Sequence, residues 1–401
     1  MADDGLRQTA DTLTERPGDF LHLIESTPAF VLDLDSIAMR LAELQVLRRR
    51  GFDLLYSIKA LPLRQLLQFM LPYVDGFSVS SLYEARLAYQ TAGDGRKLCM
   101  TSPGFRMEQL SEMGALCTHI SFNSQRMFRA AVNAVGATHR SQFGVRINPG
   151  LSFLDDDRYN PCRIGSKLGV ALADMADWPG DGDISPAGWH FHTVFDRVDA
   201  GSLQATLEHM HRILGPRPVG VNWINLGGGY RLQDAASLEI FSGIAADLQR
   251  QGYQEIMIEP GKGLVGNAGY MVSSVTDMFV SDGRQIAVLD TSINHNPEVF
   301  EYQRPPRLTE RTDGDYPVML VGGTCLAGDV FGEYHLSRRL RIGDRITMCG
   351  VGAYTLVKAN LFNGHALPDI HLWQDQQLLL ARQHGFADYA HLWNQAVPES
   401  T

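Results

Sequence analysis

Lys59 closes the run Leu54-Leu55-Tyr56-Ser57-Ile58-Lys59-Ala60, in which a short apolar stretch is cut off by Leu61-Pro62 and followed by a helical pattern at Leu66, Leu67, Phe69 and Met70. The lysine therefore falls where a strand gives way to a helix, the position at which catalytic groups collect in α/β barrels. In apolar surroundings an amine sheds its proton more readily, because burial disfavours the charged form. A neutral amine can attack a carbonyl and form a Schiff base. A surface lysine at a strand end is the plain alternative, and this stretch alone does not separate the two.

Other residue types at strand ends could work beside such a lysine. Gly227-Gly228-Gly229 follows the apolar run Trp223-Ile224-Asn225-Leu226. Three glycines there would let backbone N–H groups approach a phosphate, although a tight turn with no ligand has the same sequence. Glu259, in Ile258-Glu259-Pro260-Gly261, offers a carboxylate that could keep a pyridine-type ring nitrogen protonated, or could form a structural ion pair. His190 and His192 share one side of a strand by the period-two rule, and either ring could stack on a planar group or sit in the core. No third His or carboxylate nearby completes a metal set, so no metal is expected. Cys325, in Thr324-Cys325-Leu326-Ala327-Gly328-Asp329, could give or take a proton or be a buried apolar thiol. Tyr354, in Gly352-Ala353-Tyr354-Thr355, offers a phenol to a phosphate or an aromatic ring to a core.

The elements that must position these residues alternate. Pro28–Leu34 reads as a strand and Ile37–Arg50 as an amphipathic helix. Strands are then expected at 54–58, 76–79, 97–101, 119–122, 142–147, 188–194, 221–226 and 255–259, with helices such as 82–92, 107–116, 125–135, 203–214 and 238–251 between them. Eight βα units with no dinucleotide fingerprint predict a closed (β/α)8 barrel rather than a doubly wound sheet. The irregular insert 151–186 is long for a βα connection. After about residue 271 the texture changes to short alternating runs at 271–275, 285–289, 317–321 and 345–348, separated by turns, which predicts a separate all-β domain.

Composition narrows the function classes. The chain has 401 residues, 44% hydrophobic and 20% charged, with a net charge of −10, so a nucleic-acid binder is disfavoured. Five cysteines, an odd number without zinc-type spacing, suit a reducing compartment. The N-terminus lacks an apolar signal core, and no run of apolar residues reaches membrane-spanning length, so a cytoplasmic protein with no membrane partner is expected.

Taken in chain order, Ser57-Ile58-Lys59-Ala60, Asp75-Gly76-Phe77-Ser78-Val79-Ser80-Ser81, Phe191-His192, Gly227-Gly228-Gly229, Glu259-Pro260-Gly261, Cys325 with Gly328-Asp329, and Gly352-Ala353-Tyr354-Thr355 resemble the fold type III pyridoxal-phosphate decarboxylases, the group of ornithine and diaminopimelate decarboxylases. The resemblance runs from about Pro28 to beyond Phe362. Glu84-Ala85-Arg86-Leu87, Leu289-Asp290-Thr291-Ser292, Cys325 to Asp329 and Val357 to Gly364 look closest to the carboxynorspermidine decarboxylase branch.

The resemblance implies a TIM barrel over 36–271, with 1–35 and 272–401 forming a sandwich- or barrel-like β-domain that contributes to a dimeric active site, as in alanine racemase and ornithine decarboxylase. It implies pyridoxal 5'-phosphate held by Lys59 as a Schiff base, His192 stacked on the ring, and Glu259 at the ring nitrogen. Gly227, Gly228, Gly229, Gly261 and Tyr354 would bind the cofactor. Cys325 would serve as proton donor from the other subunit of a homodimer, and Asp196, Arg231, Asp290 and Asp329 would meet the substrate.

Departures fall at substrate-facing places. Leu326 follows the cysteine where ornithine and diaminopimelate decarboxylases have an acid. Tyr230-Arg231 replaces a His-His pair of the branch, and Thr193-Val194-Phe195-Asp196 replaces its Asn-Leu-Cys-Glu. Lys262 stands where the branch often has an acid. The implied function is removal of the α-carboxylate of an amino-acid-type substrate, either carboxynorspermidine- or carboxyspermidine-like or a related natural-product or siderophore intermediate. A diaminopimelate-, ornithine- or lysine-type decarboxylase, a racemase of the same fold and a catalytically silent relative are the alternatives. Arg231 suggests a polar or anionic distal group on the substrate, unless Asp196 or Asp155-Asp156-Asp157 offsets its charge.

Overall fold

The computed structural model describes residues 19–135, 140–154, 156–175, 178, 184–195, 200–232 and 235–393. The chain divides into two compact units: Ser36–Gly266, and the segments up to Asp35 and from Asn267 onward. The second boundary falls ahead of residue 271 because Gly269–Met271 already belong to the long strand Gly269–Ser281 of the second unit.

The first unit is the expected barrel. Its strands are β1 (Phe52–Ser57), β2 (Gly76–Val79), β3 (Lys97–Thr101), β4 (His119–Phe122), β5 (Gln142–Asn148), β6 (Gly188–His190), β7 (Trp223–Asn225) and β8 (Glu255–Ile258). All pair in parallel, and β4 with β5 and β1 with β8 complete the ring. Two strands are shorter than the apolar runs suggest. β6 stops at His190 because residues 191–195 leave the ladder, and β7 stops at Asn225 ahead of the glycines. The long insert adds a two-residue strand, Val170–Ala171, beside the end of β5.

Strand alternation sorts the interior into tiers. At the N-terminal ends Lys97 bridges Asp53 and Glu255, and Gln142 donates to Glu255 at 2.9 Å. Above them Leu55, Cys99, Trp223 and Met257 form an apolar tier. The Trp223 indole fits because its neighbours are glycines: a Cβ on Gly188 would lie 1.9 Å from the ring and one on Gly144 2.3 Å. Two residues further along each strand, Thr101, Asn225 and Glu259, joined by Arg146 and His190, form the polar tier at the mouth. This period carries the chemistry upward from a packed floor.

The second unit is a nine-stranded mixed sheet. Ala29–Asp33 lies at its centre, antiparallel to Gly269–Ser281 and parallel to Asp369–Gln374. Phe20, Ile24, Val31, Tyr270, Val272 and Trp373 pack its core. The four expected runs are present as Gly269–Ser281, Arg284–Leu289, Tyr316–Val321 and Arg345–Cys349. Four strands, the two-residue Arg307–Leu308, Val330–Leu336, Asp369–Gln374 and Gln377–Arg382, were not expected. Gly332 breaks the alternation of Val330–Leu336, and the pairs of the last two slip in register at Ile370/His371.

Candidate active site

Lys59 follows β1 directly, in the one-turn 3-10 helix Ile58–Ala60. Its side chain meets solvent, yet it stands inside the cup of the barrel mouth, where surrounding protein disfavours the ammonium. This crowding outweighs the attraction of Glu259 and Glu84, Arg146 adds repulsion, and the lysine pKa is lowered. The amine is therefore more readily neutral than an ordinary lysine.

Glu259 directly follows β8 and is buried. Asn225 Nδ2 donates to its Oε1 at 2.7 Å, and Ser78 adds a side-chain hydrogen bond. Burial raises the Glu259 pKa, and these donors, Lys59 and Arg146 pull it back down. His190 Nε2 lies 3.9 Å from Glu259 Oε2 and has no hydrogen-bond partner, while its Nδ1 is 3.0 Å from Thr101 Oγ1. Burial, then repulsion by Arg146, His192 and Lys59, holds His190 well below the usual histidine range, so the ring is neutral.

His192 is neutral for the same reason, with burial ahead of repulsion from Lys59 and Arg146. Its Nδ1 accepts the Gly228 N–H at 3.2 Å, which leaves the ring proton on Nε2. Gly227 N–H donates to Asn225 Oδ1 at 2.9 Å. Two of the three glycine N–H groups expected to meet a phosphate are thus committed inside the barrel.

The glycines are also demanded by close approach. A Cβ on Gly228 would lie 2.2 Å from the Glu259 carbonyl oxygen, and one on Gly229 2.2 Å from the Val194 carbonyl. Gly228→Ala should therefore displace the turn from Glu259 and lower stability by roughly 1–3 kcal/mol, the cost of overpacking. The check is the thermal midpoint compared with Gly243→Ala, where nothing lies within 4 Å of the new methyl. Equal midpoints would show that the turn has slack. Gly261 lies beside the lysine: its Cβ would be 3.2 Å from Ala60 Cβ and 3.4 Å from Ser57 Cβ.

The remaining expected site residues are spread more widely. Asp196 lies outside the described residues. Arg231 follows the glycine turn, and its carbonyl accepts from the Arg40 guanidinium. In the sheet unit, Cys325 is an exposed free thiol whose N–H donates to Asn363 Oδ1 at 2.8 Å. Asp329 is buried, with its carboxylate filled by Ser292 Oγ (2.9 Å), Ile293 N (2.9 Å), Thr324 N (3.1 Å) and Thr324 Oγ1. Asp290 likewise accepts from Thr27, Ser273 and Ser274. Both aspartates are thus tied down within the sheet unit, Asp329 bracing the turn that carries Cys325. Tyr354 adopts a left-handed φ of +58°, with Lys358 Nζ 5.6 Å from its ring centroid.

Five residues of the mouth carry no assigned role in the sequence: Thr101, Arg146 and Asn225, and Ser78 and Glu84, which appear only within stretches of the resemblance. Arg146 carried a signal, being a charge in the middle of the apolar strand Phe143-Gly144-Val145-Arg146-Ile147. Its Nε is buried without a hydrogen-bond partner. Glu84 accepts the Ser80 N–H at 2.6 Å just ahead of its helix, whose N-cap is Ser81. Among the described residues, no group of three or more His, Cys, Asp or Glu could hold a metal, and no helix is long and apolar enough to cross a membrane.

Comparison with known proteins agrees with this geometry. Residues 29–352 match the model of the family described as pyridoxal-dependent decarboxylase, C-terminal sheet domain. The chain is 27% identical to a carboxynorspermidine/carboxyspermidine decarboxylase of Campylobacter jejuni, over 91% of this chain and 97% of the relative. It is 29% identical to a carboxyaminopropylagmatine decarboxylase of Synechocystis, over 90% of this chain and 94% of the relative. Among solved structures, carboxynorspermidine decarboxylase of Campylobacter jejuni complexed with norspermidine superposes with a TM-score of 0.81 at 26% identity, covering 92% of this chain and all of the other.

Proposed function

Because this chain belongs to the pyridoxal-dependent decarboxylases, we propose that it removes the α-carboxylate from a carboxylated polyamine, an α-amino acid whose side chain continues as an aminopropyl-type cationic tail. The single observation that carries the chemistry is the mouth of the barrel, where a lysine with a lowered pKa shares a polar tier with a buried glutamate and two neutral histidines. The tail is argued from the relatives, two of which are named for substrates of this kind. A distal anionic group, suggested by Arg231 in the sequence, is the weaker reading beside them.

The residues present fit pyridoxal phosphate. Glu259 has one oxygen held by Asn225, and its other oxygen lies 3.9 Å from a histidine nitrogen that has no partner. When bound, the cofactor supplies an aldehyde for amine attachment and an electron sink for the bond that releases CO2. Lys59 would supply the amine that holds it. Glu259 would accept from the ring nitrogen and keep its proton in place. His192, fixed by Gly228 N–H, would stack on the ring. With Gly227 and Gly228 committed, phosphate contact by the triple glycine falls to Gly229, aided by Gly261 and Tyr354. Arg146 makes the floor of the mouth favourable to a carboxylate. The exposed thiol of Cys325 would serve the mouth of a second copy in a homodimer, as the donor of the proton that replaces the lost carboxylate.

The test is CO2 release from carboxynorspermidine, carboxyspermidine, carboxyaminopropylagmatine, diaminopimelate, ornithine, lysine and arginine. The highest kcat/KM should fall on one of the first three. A preference of about tenfold or more for diaminopimelate or ornithine would overturn the substrate assignment, and the absence of CO2 from all seven would overturn the activity.

A further inference from the structure

We propose that Asn225 is a positioning residue, whose amide locks the Glu259 carboxylate in one orientation, ties it to the glycine turn, and so presents one carboxylate oxygen to the ring nitrogen of the cofactor. The inference rests on the decarboxylase reading above and concerns the same site. Asn225 ends β7, one inward step beyond Trp223, and is 1% exposed. Its Nδ2 donates to Glu259 Oε1 at 2.7 Å, and its Oδ1 accepts the Gly227 N–H at 2.9 Å. The amide orientation is unambiguous, because a backbone N–H can only donate and the oxygen must face it. One side chain thus fixes the carboxyl group and the turn that carries the phosphate contact.

The amide does something a structural filler would not. A buried carboxyl tends to stay protonated, and a donor aimed at its charged form opposes that tendency. The other groups facing Glu259 are Lys59 after β1, Ser78 on β2, Cys99 on β3, Arg146 on β5 and His190 on β6. Lys59 and Arg146 act through space, and His190 is 3.9 Å away. Ser78 is a second side-chain donor, but Asn225, at 2.7 Å, is the donor that also holds the glycine turn through the Gly227 N–H.

The decisive variant is Asn225→Asp. It keeps an acceptor for Gly227 N–H but sets a second carboxylate against Glu259 Oε1. The two must share one proton and titrate as a pair. While that proton is present, donation from the introduced carboxylic acid to Glu259 mimics the amide; when it is lost, the carboxylates repel and Glu259 swings away. The variant should therefore approach wild-type kcat at low pH and lose about 10²-fold through a new alkaline limb, the scale of removing one preorganised group. KM should change far less.

A second readout does not depend on turnover. The absorbance band of the loaded cofactor should titrate along the same new limb in the variant, and not in the wild type. In the double variant Asn225→Asp/Glu259→Gln, donor and acceptor are exchanged, so the contact re-forms and the pH dependence of the band disappears. This double variant also serves if Asn225→Asp alone does not fold. A single variant whose rate and band follow the wild-type pH profile, or a double variant that keeps the limb, overturns the proposal. Absence of CO2 from every substrate would overturn the decarboxylase reading while leaving the band titration to decide the role of Asn225.

Discussion

Lys59→Ala should fold normally and lose roughly 10³- to 10⁴-fold in kcat, the combined scale of losing the covalent anchor and the amine that moves protons at the site. The fold should survive because the side chain is solvent-exposed in the cup of the mouth, and β1 is held by its ladders to β2 and β8. Truncation also removes an amine whose charged form the site disfavours. The lowered pKa has its own signature in loading: below it the free amine is protonated and cannot attack an aldehyde, so uptake of pyridoxal phosphate by cofactor-free protein should speed up as pH rises through a pKa under the ordinary lysine range. The variant should show no such pH-dependent uptake. Uptake rates across pH, steady-state kinetics and circular dichroism for the fold check the three parts. A variant retaining a tenth of the wild-type rate would remove Lys59 from the chemistry.

Glu259→Gln is the second large effect. The glutamine keeps the volume and can accept from Asn225 Nδ2 through its oxygen. Its amide nitrogen then occupies the place of the acceptor oxygen, so a ring nitrogen meets a donor and is held unprotonated. The electron sink weakens, and kcat should fall by about 10²- to 10³-fold, the cost of losing one preorganised electrostatic group. Stability should move the other way. The folded-state pKa of Glu259 is raised by burial, so its ionisation costs more in the folded than in the unfolded state. Glutamine removes that cost. The variant should unfold at no lower temperature than the wild type at neutral pH, with the gap widening as pH rises from acid to neutral. Thermal melts at several pH values check the sign. A lowered midpoint together with wild-type kcat would show that Glu259 is structural.

The sequence was most legible where period and chemistry coincide. The βα alternation predicted all eight barrel strands, and Lys59, His192, Gly227 to Gly229 and Glu259 do collect at one end of that barrel. Less visible were residues whose role is to hold others. Asn225 lay in the apolar run Trp223 to Leu226 and looked like part of the strand, because nothing in sequence shows that β7 and β8 bring it 2.7 Å from Glu259. The glycine run was legible as a tight approach, but not what it approaches: Gly227 and Gly228 spend their N–H groups on Asn225 and His192. The resemblance gave Asp290 and Asp329 to the substrate; that their carboxylates accept from hydroxyl and backbone donors of the same unit is something a linear pattern cannot show. In the sheet unit, alternation failed where Gly332 interrupts Val330–Leu336.

Borohydride reduction of the purified protein, followed by proteolysis and mass mapping, tests most directly whether Lys59 is the amine that holds pyridoxal phosphate. The pyridoxyl group should be found on the peptide containing Ser57-Ile58-Lys59-Ala60; a label on Lys167, Lys262 or Lys358 instead would contradict it.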